Sequence, residues 1–215
     1  MAAGRGTRML PLTKDIPKPM APYGGSTLIA KGIERLKDRI ENIYVTVGYK
    51  KAMLAQHVIE HGANAVFNTE DRGNSWWLYN TLMRHFDEPV CVLTADNVVD
   101  LDFDLLEEDY NLLKEPLCML VPVKPVAGLE GDFIFHENRV VTKLSRTEPT
   151  GMYCSGIQIL NPKKINQQTE VCEDFYLVWQ QLIEKRHLLT SSVYPKRWFA
   201  VDTLKQLEAL NDASF

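Results

Sequence analysis

The 215 residues are enough for one medium-sized α/β domain and too few for two full ones. A hydrophobic share of 45% and a charged share of 24% support an ordinary buried core, with no need of disulfides or a structural metal. The net charge of −4, with no polybasic run, excludes a nucleic-acid footprint and a membrane-surface segment, and no apolar run is long enough for a transmembrane span.

Residues 4–18 come first and read Gly-Arg-Gly-Thr-Arg-Met-Leu-Pro-Leu-Thr-Lys-Asp-Ile-Pro-Lys, a loop rich in glycine, proline and basic residues. An open α/β domain normally leads into such a loop through an apolar strand. Only Ala2 and Ala3 stand between Met1 and Gly4, so the first strand is missing or truncated. Either the natural start lies upstream, or a central strand is absent and two sheet edges are open. Residues 26–39, 51–61 and 75–85 carry apolar side chains at helical spacing, with Ser26 and Ser75 placed to cap the first and third of these helices. The β-branched runs 42–48 (NIYVTVG) and 90–95 (VCVLTA) read as buried strands. Strands alternating with helices predict an α/β fold with a doubly wound, mainly parallel, mixed sheet. Beyond residue 115 the pattern changes. Residues 118–123, 132–135, 139–144 and 153–160 are strand-like with few helices between them, which predicts a small antiparallel lobe. Helices over about 172–187 and 203–210 close the chain.

Within the loop, Gly4 and Gly6 allow positive φ and close backbone approach to a ligand. Successive N–H groups in such a turn form a nest for anions. Arg8 can grip phosphate oxygens bidentately and Lys18 adds a compact point charge, while Pro11, Pro17 and Pro19 stiffen the segment. Met9 stands where a dinucleotide fingerprint requires its third glycine, and no Gly-Lys-Ser/Thr run completes a nucleoside-triphosphatase loop.

The pattern Gly-x-Gly-x-Arg-x-x-Pro-x-Thr-x-x-x-Pro-Lys resembles the signature loop of the sugar-phosphate and phosphocholine nucleotidyltransferases, and the order of loop, central Asp and late Asp is similar along nearly the whole chain. The resemblance implies a Rossmann-like nucleotidyltransferase fold formed by residues 1–215 as a single domain, with the nucleotide part over about 1–115 and the acceptor part over about 116–215. It implies that Ala3, Gly4, Gly6, Thr7 and Arg8 hold the triphosphate. Lys18 would lie between the nucleotide's α-phosphate and the acceptor's phosphate.

Asp96 follows the apolar run 90–95, at the strand end where open α/β sheets bind ligands. Asp202 follows Trp198-Phe199-Ala200-Val201, just before the last helix. Either aspartate could instead serve locally, Asp96 in a turn and Asp202 as the helix cap. The resemblance makes both of them ligands of Mg²⁺, for which one or two carboxylates plus waters and phosphate oxygens suffice. Many members carry a second acid two positions before the central Asp, where Thr94 stands here.

By the same resemblance Asn74 lies where the family reads the nucleobase. The Asn-x-x-x-Leu-Tyr run after 66–68 is similar to the phosphocholine cytidylyltransferases, which points to CTP and an amino-alcohol phosphate. Trp76, Trp77, Tyr176 and Trp179 could then offer aromatic faces to a cationic head group. Trp76 and Trp77 are helix neighbours, so at most one of them faces a ligand. Gly131-Asp132-Phe133 and the Trp198–Asp202 ending instead resemble short sugar-1-phosphate members, which use UTP, GTP or CTP. The acceptor stays open between these two, with Trp76, Asp132 and Tyr176 as the acceptor-binding candidates; Lys143 and Glu173 are weaker ones.

The four cysteines show no paired spacing and no secretory signal, which fits buried free thiols and a cytoplasmic protein. His57 and His61 lie four apart on a helix without a third ligand in view, and the acidic stretch 100–109 reads as a solvated helix start. The expected partners are an NTP and a small phosphorylated acceptor, with no nucleic acid and no membrane, and a homodimer is left open. Products of such enzymes feed cell-surface polysaccharide synthesis in the family. Two other readings compete: a nucleotide-binding module without chemistry, which could have lost any of Arg8, Lys18, Asp96 and Asp202, and a dinucleotide oxidoreductase, which Met9 argues against.

Overall fold

The first long helix starts from Thr27, not from the expected Ser26. In the computed structural model, which describes residues 1–126 and 131–212, Thr27 is extended and its side chain accepts from the Ala30 N–H at 3.2 Å, capping Leu28–Leu36. Ile29 and Ile33 on the buried face of that helix pack against Val45, Val47, Leu54 and Val58. These residues belong to a strand Tyr44–Val47 and a helix Lys51–Glu60. A second strand, Ala65–Asn68, returns beside the first in parallel, pairing Tyr44 with Ala65 and Val47 with Asn68, as a strand–helix–strand unit requires. On the other side of Val47, Ala2 makes an isolated parallel bridge, Ala2 N donates to Thr46 O at 3.1 Å, and Ala95 N donates to Met1 O at 2.9 Å. Met1–Ala3 therefore lie in the position of the expected first strand. Gly48 is needed there, because a Cβ would stand 2.6 Å from the Ala3 carbonyl oxygen.

The chain divides into two units. The first comprises Met1–Gly73, Thr94–Val99 and the chain from Phe199 onward; the second comprises Asn74–Leu93 and Asp100–Trp198. The crossing points do not fall near residue 115. Two short strands, Asn97–Asp100 and Arg197–Ala200, pair with each other, and each carries the chain from one unit into the other. The first unit holds a second core, in which Met9, Val98, Val201, Leu207 and Leu210 pack together.

The second unit is built on one mixed six-stranded sheet, in the order Val90–Val92, Tyr153–Leu160, Cys118–Val123, Leu188–Thr190, Val140–Ser145, Phe133–Glu137. Only Leu188–Thr190 against Cys118–Val123 is parallel among its pairings. The antiparallel additions expected for the second half thus supply most of this sheet. Cys91, Cys118 and Cys154 are free and lie within its strands; burial pushes all three thiols up, Cys91 to about 12. The helix expected over 75–85 breaks at Thr81, whose extended backbone separates Trp76–Asn80 from a 3₁₀ turn Leu82–His85. Ser75 makes no cap bond; its hydroxyl donates to Cys172 O at 2.9 Å instead.

The acidic stretch is only partly a solvated helix start. Asp102 caps Phe103–Leu112 by accepting from Leu105 N at 3.2 Å, but Asp109 is buried. Its carboxylate accepts from Arg139 at 2.8 and 2.5 Å, from the Ser191 and Ser192 hydroxyls at 2.6 and 2.8 Å, and from Ser192 N at 3.1 Å. Burial pushes this carboxyl upward, but Arg139 and the two serines more than offset that and hold it down at about 2. Its folded value lies below the ordinary 3.8, so the stability it confers is present above about pH 4 and is lost as the pH falls toward 2. Asp109→Ala, which strands the guanidinium, is expected to cost about 2–4 kcal/mol, read from urea unfolding midpoints at pH 7.

Among the described residues no helix is long and apolar enough to cross a membrane.

Candidate functional site

The loop of residues 4–18 is anchored by the residue that spoils its resemblance to a dinucleotide fingerprint. Met9 is fully buried and packs with Val98 and Val201 in the second core of the first unit. Val98 lies two residues after Asp96, and Val201 directly precedes Asp202. One apolar cluster therefore draws three separate stretches of chain together, and the polar residues beside them converge. A backbone bond, Val201 N to Asp96 O at 2.9 Å, fixes the two acidic stretches in register.

The convergence produces a compact charged group within the first unit. The Lys18 ammonium donates to Asp96 Oδ2 at 2.7 Å and to Asp202 Oδ1 at 2.8 Å. Arg8 Nη2 lies 3.0 Å from the same Asp202 oxygen. Lys18 is mostly buried, with 12% of its side chain exposed, whereas Arg8 is 61% exposed and free to reach outward. The four residues singled out in the sequence thus stand in one place. Two carboxylates that share one ammonium also fit a divalent cation: both present a hard oxygen to a single positive centre, and one or two carboxylates are enough when phosphate oxygens complete the shell. Among the described residues there is no group of three or more potential metal ligands.

The glycines play unequal parts. Gly6 adopts φ +62°, opens the 3₁₀ turn Thr7–Met9, and comes so close to Lys18 that an added Cβ would stand 2.7 Å from the lysine Cβ. Gly4 does not take positive φ; it is exposed, and a Cβ there would meet nothing within 4 Å. The expectation of left-handed backbone at both glycines is corrected to Gly6 alone. Thr7 is exposed beside it, and the Ala3 carbonyl accepts from Tyr49 N at 3.1 Å. Gly6→Ala is expected to lower stability by about 1–3 kcal/mol, from left-handed backbone strain plus the displaced lysine. A denaturant midpoint checks it.

Sequence reading missed the residues that hold the loop. Thr13 is buried, and its hydroxyl donates to Gly6 O at 2.9 Å; the Tyr49 hydroxyl donates to Thr13 O at 2.9 Å. Thr13 was visible as part of the motif, but nothing near Tyr49 in sequence signals its bond. The helix cap, the local role open to Asp202, falls instead to Thr203, whose Oγ1 accepts from Gln206 N at 3.3 Å ahead of Leu204–Asp212. That leaves the Asp202 carboxylate to Lys18 and Arg8.

Asn74, Trp76, Asp132 and Tyr176 all belong to the second unit. Asn74 Oδ1 accepts from Phe175 N at 2.8 Å, which binds it to the start of the helix Phe175–Glu184. Trp76 is partly buried and Trp77 is buried, so of this pair only Trp76 has an open face. Trp179 donates from Nε1 to Gln158 Oε1 at 2.8 Å and stacks on Phe175, which commits it to packing. Asp132 is buried, and Arg146 Nε lies 3.4 Å from its Oδ1. Burial raises the Asp132 carboxyl, with Arg146 acting in the opposite direction. The same guanidinium lies over the Tyr176 ring, 5.9 Å from its centroid. Asp132 and Tyr176 therefore already frame a cation, and Arg146, which no sequence signal marked, supplies it. Lys143 pairs with Glu148, and Glu173 accepts through its backbone from Ser75 N at 3.2 Å. His57 Nε2 meets Thr27 Oγ1 at 2.8 Å and joins no metal cluster among the described residues.

The family model described as Nucleotidyl transferase matches residues 1–128. A bifunctional protein GlmU of Methanococcus aeolicus is 29% identical over 109 residues, 51% of this chain and 26% of that protein. The UTP–glucose-1-phosphate uridylyltransferase AglF of Haloferax volcanii is 31% identical over 102 residues, 46% of this chain and 42% of the relative. The chain therefore spans well under two thirds of these curated relatives. Among solved structures, the CTP:phosphocholine cytidylyltransferase LicC of Streptococcus pneumoniae shares the fold, with a TM-score of 0.75 over 98% of this chain and 95% of that one at 22% identity.

Proposed function

Because the chain belongs to the nucleotidyl transferase family, we propose that it is a magnesium-dependent enzyme that moves a nucleoside monophosphate from CTP onto a small amino-alcohol phosphate of the phosphocholine kind, releasing pyrophosphate. The observation that carries the proposal is the Lys18 ammonium shared by Asp96 and Asp202, with Arg8 on the same Asp202 oxygen. A nucleotide-binding module without chemistry has no use for two convergent carboxylates beside a phosphate loop.

In this reading Asp96 and Asp202 would hold the magnesium ion, which when bound neutralises charge on the α-phosphate. Gly4, Gly6 and Thr7, with Ala3 behind them, receive the triphosphate, and exposed Arg8 grips its oxygens bidentately. Lys18 turns from the carboxylates toward the phosphates as a point charge. The acceptor's phosphate is already largely ionised near neutral pH, so no side chain need act as base. One of its oxygens attacks the α-phosphorus in line; the bond to the β-phosphate oxygen breaks, and pyrophosphate leaves with the electron pair. The chain's contribution is positioning and fixed positive charge. Asn74 is assigned to the base, and Trp76, Asp132 and Tyr176 to the acceptor. The support for a cationic acceptor is the guanidinium already seated on Tyr176 and against Asp132.

A second reading, transfer to a sugar 1-phosphate, is favoured by relatives such as the UTP–glucose-1-phosphate uridylyltransferase. Pyrophosphate release measured with CTP, UTP and GTP against phosphocholine and hexose 1-phosphates decides between them. Turnover with CTP and phosphocholine is expected. Turnover only with a hexose 1-phosphate would replace the acceptor, and stabilisation by NAD without turnover on any pair would remove the activity.

A further inference from the structure

Asp202 stands one residue before Thr203, the cap of the helix Leu204–Asp212, close enough to compete for the unpaired N–H groups at that helix start. It does not do so here, and the N–H groups of Asp202 and Thr203 are taken by another side chain. Gln206 Oε1 accepts from Asp202 N at 2.8 Å, from Thr203 N at 2.9 Å and from the Thr203 hydroxyl at 3.2 Å, while Thr203 Oγ1 accepts from Gln206 N. This is a reciprocal capping box, and the sequence carries its signature in Thr203-x-x-Gln206. On the other side of Asp202, fully buried Val201 is tied through its N–H to Asp96 O at 2.9 Å. The backbone of Asp202 is therefore held from both sides, and its carboxylate is left to face Lys18 at 2.8 Å and Arg8 at 3.0 Å.

From this geometry we infer that Gln206 is a positioning residue for the transfer reaction: by accepting from the Asp202 and Thr203 N–H groups it fixes the backbone from which the Asp202 carboxylate reaches Lys18 and the cation site. The inference rests on the reading of Asp202 as a metal ligand. A neutral amide suits the task, since it accepts the same hydrogen bonds without placing a second full negative charge beside Asp202. Without it, the Asp202 and Thr203 N–H groups lose their acceptor, and a carboxylate on an unfixed backbone no longer meets the cation squarely.

The test compares Gln206→Ala and Gln206→Glu with Ala209→Gly, which weakens the same helix at an exposed position away from Asp202. Gln206→Ala is expected to lower kcat about tenfold and to weaken Mn²⁺ binding in the presence of CTP, followed by electron paramagnetic resonance, by a similar factor. The KM for the acceptor should stay within about twofold, since the acceptor is held elsewhere. Ala209→Gly is expected to lower the melting temperature comparably and to leave both kcat and Mn²⁺ binding unchanged. Gln206→Glu, which keeps the accepting oxygen, should bring Mn²⁺ binding back to within about threefold of the parent. A Gln206→Ala protein that behaves like Ala209→Gly, or a Gln206→Glu protein as impaired as Gln206→Ala, overturns the assignment. Asp202→Asn measured in parallel separates the two levels. If it binds Mn²⁺ and turns over normally, the metal-ligand reading falls; if it is inactive while Gln206→Ala is normal, only the positioning role falls.

Discussion

Asp202→Asn and Asp96→Asn are each expected to reduce nucleotidyl transfer by about three orders of magnitude while leaving the fold in place. On the proposed reading the size follows from losing one of two anionic metal ligands in a site where fixed charge supplies most of the rate, for which single contacts are worth about 10²–10³ and a metal-binding carboxylate more. The fold survives for reasons visible in the structure. Asparagine matches aspartate in shape, the Asp202 backbone is pinned by Gln206 and by its neighbour Val201, and Asp96 uses its carbonyl rather than its carboxylate to accept from Val201. Each substitution also leaves the mostly buried Lys18 ammonium its other carboxylate partner, so no charge is stranded. Melting temperatures should fall by no more than a few degrees. Initial rates of pyrophosphate release at saturating Mg²⁺ check the prediction, and a variant that keeps near-normal turnover would remove its aspartate from the metal site.

The parts of this site legible in the sequence are those fixed by spacing over a few residues. Gly6, Arg8 and Lys18 lie in one short loop whose composition already implied anion binding; Asp96 follows an apolar strand-like run, though the strand itself stops at Val92, and Asp202 stands just before the last helix. What stayed hidden depends on contacts between distant stretches of chain. Met9 could be read only as a missing glycine, yet its burial against Val98 and Val201 is what brings the loop to the aspartates. Tyr49 and Gln206 act through backbone groups, and the choice of partner is set by packing rather than by local pattern. The first cap moved by one residue, from Ser26 to Thr27, because both side chains can cap and only Thr27 has the extended backbone directly before the helix. The division of the chain was equally out of reach. Val90–Val92 joins the second unit through antiparallel pairing with Gln158–Leu160, a partner nearly seventy residues away that no periodicity announces. Arg146 illustrates the same limit: an arginine in a polar turn carries no sign that it will meet both Asp132 and Tyr176.

Lys18→Gln is expected to move two measurements in opposite directions, lowering transfer by roughly two to three orders of magnitude and raising the affinity of the nucleotide-free protein for Mn²⁺ by about tenfold. Both effects come from one position. The Lys18 ammonium lies within 2.8 Å of both carboxylates, where it screens their mutual repulsion and competes for the oxygens a divalent cation needs. A neutral amide of similar reach removes that competitor, so Mn²⁺ titrated alone should bind more tightly. On the proposed reading, bound nucleotide gives the lysine another partner in the phosphates, and its charge then stabilises the transferring group, so its loss slows the reaction. The opposed signs distinguish this from damage to the fold, which would weaken metal binding and turnover together. They also distinguish Lys18 from Asp96 and Asp202, whose substitution lowers both quantities. Gly6 belongs to the same account: its bare α-carbon is what lets the Lys18 side chain pass close enough to reach both aspartates, so a methyl group there should reproduce part of the Lys18→Gln behaviour without touching any charge.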